Sequence, residues 1–454
     1  MISSPRLRVL ALALAAALGH TSALASSETE QLRAEFEQKL KALQDTYEAR
    51  LKELEARIAA RPEPSSPGAA PAAVARPAAS GFNPEVSLVL QGAYVSQKDL
   101  EERHLAGFAE AGHEHGGGRG FRLDHTELVM SANVDPYFRG HANFALADGE
   151  VEIEEAWVQT LGLGHGLTVR GGRFLSGLGY SNEQHPHAWD FADQSLMYRA
   201  LFGEHLVQDG VQLKWLAPTA TFLEFGLEAA RGQFFPGSEA GGNRSGAGAL
   251  AAFAKVGGDL GASHSWRAGI NVLHAKPKLR EAHFEDVNDV EAETLFSGHS
   301  KTWIADFVWK WAPEGNARER YFKLQAEVFR RRESGAFFCA DNSAEGGACL
   351  GLTAPYRSAQ SGGYVQGVWQ FLPGWRVGYR YDRLDPGSVD FGENPLESGS
   401  HKPVKHSLMF DYSPSEFSRL RLQWARDQSM AGVSDRQLTL QYIHSLGAHG
   451  AHKF

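Results

Sequence analysis

From Pro84 to Phe454, apolar and polar residues alternate one by one in sixteen separate runs. Successive side chains of a β-strand point to opposite faces, so each run makes one apolar and one polar face. Val211, Leu213 and Trp215 oppose Gln212 and Lys214. Phe322, Leu324, Ala326 and Val328 oppose Lys323, Gln325 and Glu327. Leu420, Leu422 and Trp424 oppose Arg419, Arg421 and Gln423. Short turns such as 134–136, 217–219 and 413–415 alternate with mostly long links at 96–119, 176–206, 232–246, 276–299, 333–360 and 385–401. Sixteen strands are too many for one sandwich. An even strand count with this rhythm of turns predicts an all-β fold, a transmembrane antiparallel β-barrel over 84–454. Trp303, Trp311, Trp375, Tyr379, Tyr381, Tyr412 and Tyr442 sit on the apolar parities, several near strand ends, as aromatic girdles do.

Three segments precede the barrel. Residues 1–25 read as a signal peptide: Arg6 and Arg8, a short apolar run from Val9 to Leu18, then Ala23-Leu24-Ala25. That run is too short to span a bilayer, and no later segment has the ~18 consecutive apolar residues a transmembrane helix needs. Residues 26–61 predict a periplasmic coiled-coil helix. Leu32, Phe36, Leu40, Leu43, Tyr47, Leu51, Leu54 and Ile58 form one narrow apolar stripe. A lone helix of this kind is marginal in water, so self-association through the stripe and a solvated spacer both stay open. Residues 62–83 form a Pro/Ala-rich linker. The net charge of −9 lacks the basic footprint of a nucleic-acid binder, so no nucleic-acid partner is expected.

The order of export signal, coil, linker, sixteen strands and terminal Phe454 resembles bacterial outer-membrane porins. It is similar to the phosphate- and pyrophosphate-selective porin group, and to sugar porins that carry N-terminal coils. The His-bearing stretches and the ending from Ser445 to Phe454 also resemble a group of zinc-regulated outer-membrane proteins. Some of that group are labelled TonB-dependent receptors. Such receptors have 22 strands and a plug domain, which the segment before Pro84 does not match. The resemblance implies an outer-membrane protein surrounded by lipid, with its N-terminal segment in the periplasm. It also implies a homotrimer through barrel and coil, and passive uptake of small polar solutes. Zinc and other divalent ions are candidate solutes. A non-conducting structural, adhesive or receptor-type barrel is the alternative.

If the apolar parity faces lipid, the other lines the lumen. The expected pore-lining residues are Arg139, Lys214, Glu224, Arg267, Asp306, Lys323, Glu327, Arg376, Arg380, Arg419 and Arg421. Bases and acids nearly balance on that face, so the wall does not argue for phosphate. Arg376, Arg380, Arg419 and Arg421 could set up a transverse field, or be paired and solvated. The 176–206 link holds Trp189, Phe191, Met197, Tyr198 and Phe202, too apolar for a solvated loop. Folding into the lumen would bury them, as would packing against another protomer.

Two His-x-His pairs, His113 with His115 and His185 with His187, put imidazoles on one side of an extended segment. They would chelate a borderline metal such as zinc, or serve only as loop polarity. No four-ligand structural zinc spacing is present. No cofactor is required, and bound zinc is the one candidate. Cys339 and Cys349 predict a disulfide closing a short loop of an exported chain. Neither a G-x-S-x-G elbow nor an H-E-x-x-H motif occurs, so no enzyme is expected.

Overall fold

A computed structural model describes Lys41 and residues 84–100, 103–109, 118–147 and 150–447. The predicted signal peptide, linker, His113, His115 and Phe454 lie outside these residues, as does the coil apart from Lys41. The chain divides into two units, Met1–Ala79 and Ser80–Phe454. Among the described residues no helix is long and apolar enough to cross a membrane.

The second unit is a sheet closed on itself. Its strands are β1 (Glu85–Ser96), β2 (Gly120–Leu123), β3 (Thr126–Asn133), β4 (Phe138–Ala147), β5 (Glu150–Thr160), β6 (Leu167–Leu175), β7 (Val207–Leu216), β8 (Phe222–Ala230), β9 (Ala249–Leu260) and β10 (His264–Ala275). There follow β11 (Arg280–Asp286), β12 (Glu291–Trp311), β13 (Tyr321–Asp341), β14 (Thr353–Leu372), β15 (Trp375–Asp390), β16 (Leu396–Glu397), β17 (Val404–Ser415), β18 (Ser418–Gln428) and β19 (Asp435–Gly447). Neighbours pair antiparallel, and β1 pairs with β19 from Ser87↔Gly447 to Ser96↔Leu438, which closes the ring. Strands β2 and β3 are one stave, and β11 and β16 stand outside the wall, leaving a sixteen-stranded barrel. Closure removes the sheet edges that would otherwise recruit other chains.

The two faces are sorted by polarity in the opposite sense to a water-soluble protein. On β17, β18 and β19, Leu408, Phe410, Leu420, Leu422, Trp424, Leu440 and Tyr442 point outward and are exposed. Their inward neighbours Ser407, Asp411, Arg421, Gln423 and Gln441 are buried. A contiguous apolar band of this extent is stable only where its surroundings are apolar too.

Three links expected to be loops are partly strand. Strands β12 and β13 have 21 residues each, roughly 70 Å at the ~3.3 Å rise of a strand, twice the bilayer core. Their far halves, with β11, β14, β15 and β16, build a sheet beyond the barrel rim. There Phe296, Phe337, Tyr356 and Phe391 pack together. Cys339 and Cys349 form a disulfide in the same cluster, Cα atoms 5.9 Å apart. These stretches hid from the sequence reading because a sheet outside the apolar band needs no outward apolar residues. Charged runs such as Glu281–Glu293 therefore read as loop.

Candidate functional site

The segment 176–206 lies inside the barrel. Leu178, Phe191, Leu196, Met197, Tyr198, Ala200 and Leu201 are all 1% exposed or less. Phe191 packs on Val368 and Met409, and the others on wall residues that include Phe253, Leu273, Ile304, Phe329 and Tyr364. The loop starts and ends at one place, because Ser176 N–H donates to Leu206 O at 2.9 Å. Asn182 braces this base: its amide donates to Ser176 O and Leu206 O, and it accepts from Leu206 N–H at 2.7 Å.

Ionic contacts pin the loop to the wall. Asp190 pairs with Lys323 and with Arg376 at 3.1 Å. Asp193 pairs with Arg380 at 2.9 Å and Lys405 at 2.7 Å. Burial alone would raise both carboxyls. Lys323 and Arg376 hold Asp190, and Lys405 and Arg380 hold Asp193, well below the ordinary carboxylate range. Arg421 donates to Phe191 O and Trp189 O, and Arg419 to His187 O. Glu327 accepts from Tyr180 N–H, Ser181 N–H and the hydroxyls of Tyr198 and Tyr364.

The expected lumen residues therefore divide. Lys214, Arg267, Lys323, Glu327, Arg376, Arg380, Arg419 and Arg421 meet the loop. Arg376, Arg380, Arg419 and Arg421 do not stand as a free basic row, because loop acids and carbonyls occupy all four. Lys214 faces Glu224 at 3.6 Å. Arg267 lies over the Tyr180 ring at 4.6 Å and is 3.9 Å from Asp306. Arg139 stays at the short-turn rim, 3.3 Å from Glu85. The sequence reading missed Asp190 and Asp193 as partners of this wall. Their signal was only two acids in an apolar loop.

Two cavities adjoin the loop among the described residues. One of about 1000 Å³ opens at the short-turn end and is lined by Glu127, His141, Glu155, His185 and His187 among others. One of about 1540 Å³ opens at the long-loop end and is lined by His125, Glu152, Glu154, Glu204 and His205 among others. They approach each other on the β3–β4–β5 wall.

Two β-bulges build that stretch of wall. Between Asn143 and Phe144 the β4–β5 register shifts: Asn143 faces Glu155 and Phe144 faces Ile153, with Glu154 as the extra residue. Strict parity admits Glu152 and Glu154 to the lumen and excludes Glu155. The bulge buries the adjacent pair Glu154 and Glu155. A second extra residue lies between Leu123 and Glu127, which face Gly92 and Val89. It sits beside His125.

A His/Glu cluster results. His125 Nε2 is 2.8 Å from Glu154 Oε1 and 3.8 Å from Glu127 Oε1. His185 Nδ1 is 3.4 Å from Glu154 Oε2 and 3.6 Å from Glu127 Oε2, and its Nε2 is 3.1 Å from Glu155 Oε2. His187 Nδ1 is 2.7 Å from Glu127 Oε1. His141 Nε2 is 3.5 Å from Glu155 Oε2. The amide of Asn143 donates to both Glu127 and Glu154. Burial alone would lower His185, but Glu127, Glu154 and Glu155 around it raise it well above the ordinary imidazole value. Burial, against the pull of Glu154, pushes nearby His205 down to about 4. Of the four expected metal-binding histidines, His185 and His187 meet here, and His113 and His115 lie outside the described residues. His125 and His141 were missed because each is a lone histidine in sequence.

No protein-family profile matches the chain. Among solved structures, a loop-deletion mutant of OmpT, an outer membrane protein of Vibrio cholerae, is 10% identical with a TM-score of 0.49. The match covers 80% of this chain and 99% of that one. OprB of Pseudomonas putida is 12% identical with a TM-score of 0.48, over 81% of this chain and 94% of that one. The outer membrane channel DcaP of Acinetobacter baumannii is 14% identical with a TM-score of 0.47, over 80% and 97%. A protein of Aquifex aeolicus (strain VF5), described only as an uncharacterized protein, is 30% identical over 406 residues, 82% of this chain and 80% of that one. With that identity sustained along most of both sequences, the chain belongs to the same family as the Aquifex aeolicus protein.

Proposed function

We propose that the chain is an outer-membrane barrel acting as a narrow, porin-like channel for small polar solutes, with divalent metal ions such as zinc among them. The observation that carries this reading is the pair of cavities, one open to each end, that approach at the His/Glu cluster. The outward apolar band supports the membrane setting. By the usual orientation of such barrels, the short-turn end and the N-terminal segment face the periplasm. The 176–206 loop acts as the constriction. A homotrimer joined through barrel and N-terminal helix belongs to the same proposal, supported by the apolar stripe in 26–61. The mechanism is diffusion through a sized, polar gap, with no catalytic step.

One observation favours a second reading. The loop packs its apolar residues against the wall as closely as a protein core, which suits a non-conducting structural or receptor-type barrel. Single-channel recording of the refolded mature protein in planar bilayers separates the two. The channel reading expects small stepwise conductance that micromolar zinc perturbs. It expects that response to disappear when His113, His115, His185 and His187 are changed to Ala. A folded barrel without conductance would leave the second reading.

The membrane setting has its own test. Leu422 points outward from the middle of β18 and is 44% exposed. Leu422→Arg should cost about 2–4 kcal/mol, the penalty for a cation at the bilayer midplane. Urea unfolding from lipid vesicles measures it, and an unchanged midpoint would place this face outside lipid.

A further inference from the structure

We propose that His125, Glu127 and Glu154 form a binding site for one borderline divalent cation, of which zinc is the probe, with His185 supporting it from beside. The inference rests on the channel reading only for how the ion arrives. Its chemistry stands on the cluster itself.

The donor spacing fits a small tetrahedral ion. Ligands held ~2.0–2.1 Å from zinc in a tetrahedron are roughly 3.3 Å apart. His125 Nε2 lies 2.8 Å from Glu154 Oε1 and 3.8 Å from Glu127 Oε1, which brackets that spacing. One donor atom each from His125, Glu127 and Glu154 lies within 4.8 Å of the other two. The chemistry fits as well. An imidazole with two carboxylates suits a borderline metal, whereas magnesium and calcium prefer all-oxygen shells.

The surroundings are those of a held site. His185 turns Nδ1 toward Glu127 and Glu154 and gives its other nitrogen to Glu155. Asn143 Nδ2 lies 3.3 Å from His185 Nδ1, so His185 stands beside the donor set as support for it. Glu155 is held in turn by the Trp157 indole and by Leu175 N–H, each at 3.1 Å. Asn143, 0% exposed, spans Glu127 and Glu154 with its amide nitrogen, while its buried Oδ1 has no hydrogen-bond partner. Glu127, Glu154 and Glu155 pair with His125, His141, His185 and His187, and Arg170 lies within electrostatic reach of Glu155. Buried carboxylates converging in this way need matching positive charge, which charged imidazoles supply in the empty site and a divalent ion would supply in their place. The site also straddles the two cavities: His125 and Glu154 line the outer, Glu127 and His185 the inner. An ion held here is accessible from both ends.

The test uses the full mature chain, refolded in detergent and carrying His113→Ala and His115→Ala to remove that pair. Zinc binding is read by equilibrium dialysis with elemental analysis and by X-ray absorption. One zinc per chain is expected, in a nitrogen/oxygen shell with imidazole scattering. Glu154→Gln and His125→Asn should each weaken binding by more than about tenfold, the lower bound known for groups that merely support a ligand. Absence of zinc, affinity unchanged in both variants, or calcium bound as tightly would overturn the site. The absorption spectrum needs no further variant, so a substitution that fails to fold does not stop the test. Zinc binding without conductance keeps the site and removes the channel; conductance without zinc binding does the reverse.

Discussion

Replacing residues 183–203 by a short glycine–serine link should raise single-channel conductance several-fold. The segment fills the middle of the barrel, with Leu196, Met197, Tyr198 and Ala200 wholly buried. The wall hydrogen bonds run continuously around the ring without it. The deletion also suits the geometry, since the loop leaves and returns at Ser176 and Leu206, already joined by a backbone hydrogen bond. Removing the insert exposes Lys323, Arg376, Arg380 and Lys405 without Asp190 and Asp193. The widened pore should therefore also shift toward anions, which a salt-gradient reversal potential measures. Conductance equal to that of the intact chain would show that current does not pass the loop, and would remove it as the constriction.

Glu327→Leu should cost roughly 3–5 kcal/mol, because a buried acceptor is lost while its donors stay buried. Two of those donors are the backbone N–H groups of Tyr180 and Ser181 at the start of the insert, each at 3.0 Å. A third is the Tyr198 hydroxyl at 2.8 Å, on the short helix Leu196–Phe202. One carboxylate thus holds two separate parts of the loop to β13. The loss should show first as faster proteolysis within 176–206 and noisier current, because the wall itself keeps its ladder. Glu327→Gln, which keeps an acceptor oxygen, should lose less. Urea unfolding in vesicles and limited proteolysis read the two effects. A Leu variant as stable and protease-resistant as the parent would mean that the loop is held elsewhere.

Much of this architecture was legible along the chain. The expected runs 167–175 and 207–216 coincide with β6 and β7, since a strand that must be apolar on one side and polar on the other carries its period in consecutive residues. The burial of Trp189, Phe191 and Met197 was legible too, because no solvated loop holds so many apolar groups. The rim sheet was not, since beyond the apolar band the outward face no longer has to be apolar. The His/Glu cluster was visible only in the pair His185 and His187.

The sequence by itself determined the strands, the sorting of their faces and the burial of the 176–206 link, because each follows from the polarity of neighbouring residues; that the link turns inward was decided by the tertiary structure. Tertiary structure alone decided what meets inside. Asp190 finds Arg376 across 186 positions of chain, a pairing no local pattern encodes. Glu155 joins Glu154 in the interior only because one extra residue in β5 breaks the alternation. Period determines which way a strand faces; register, bulges and loop docking determine which charges share a space, and these depend on contacts far apart in sequence.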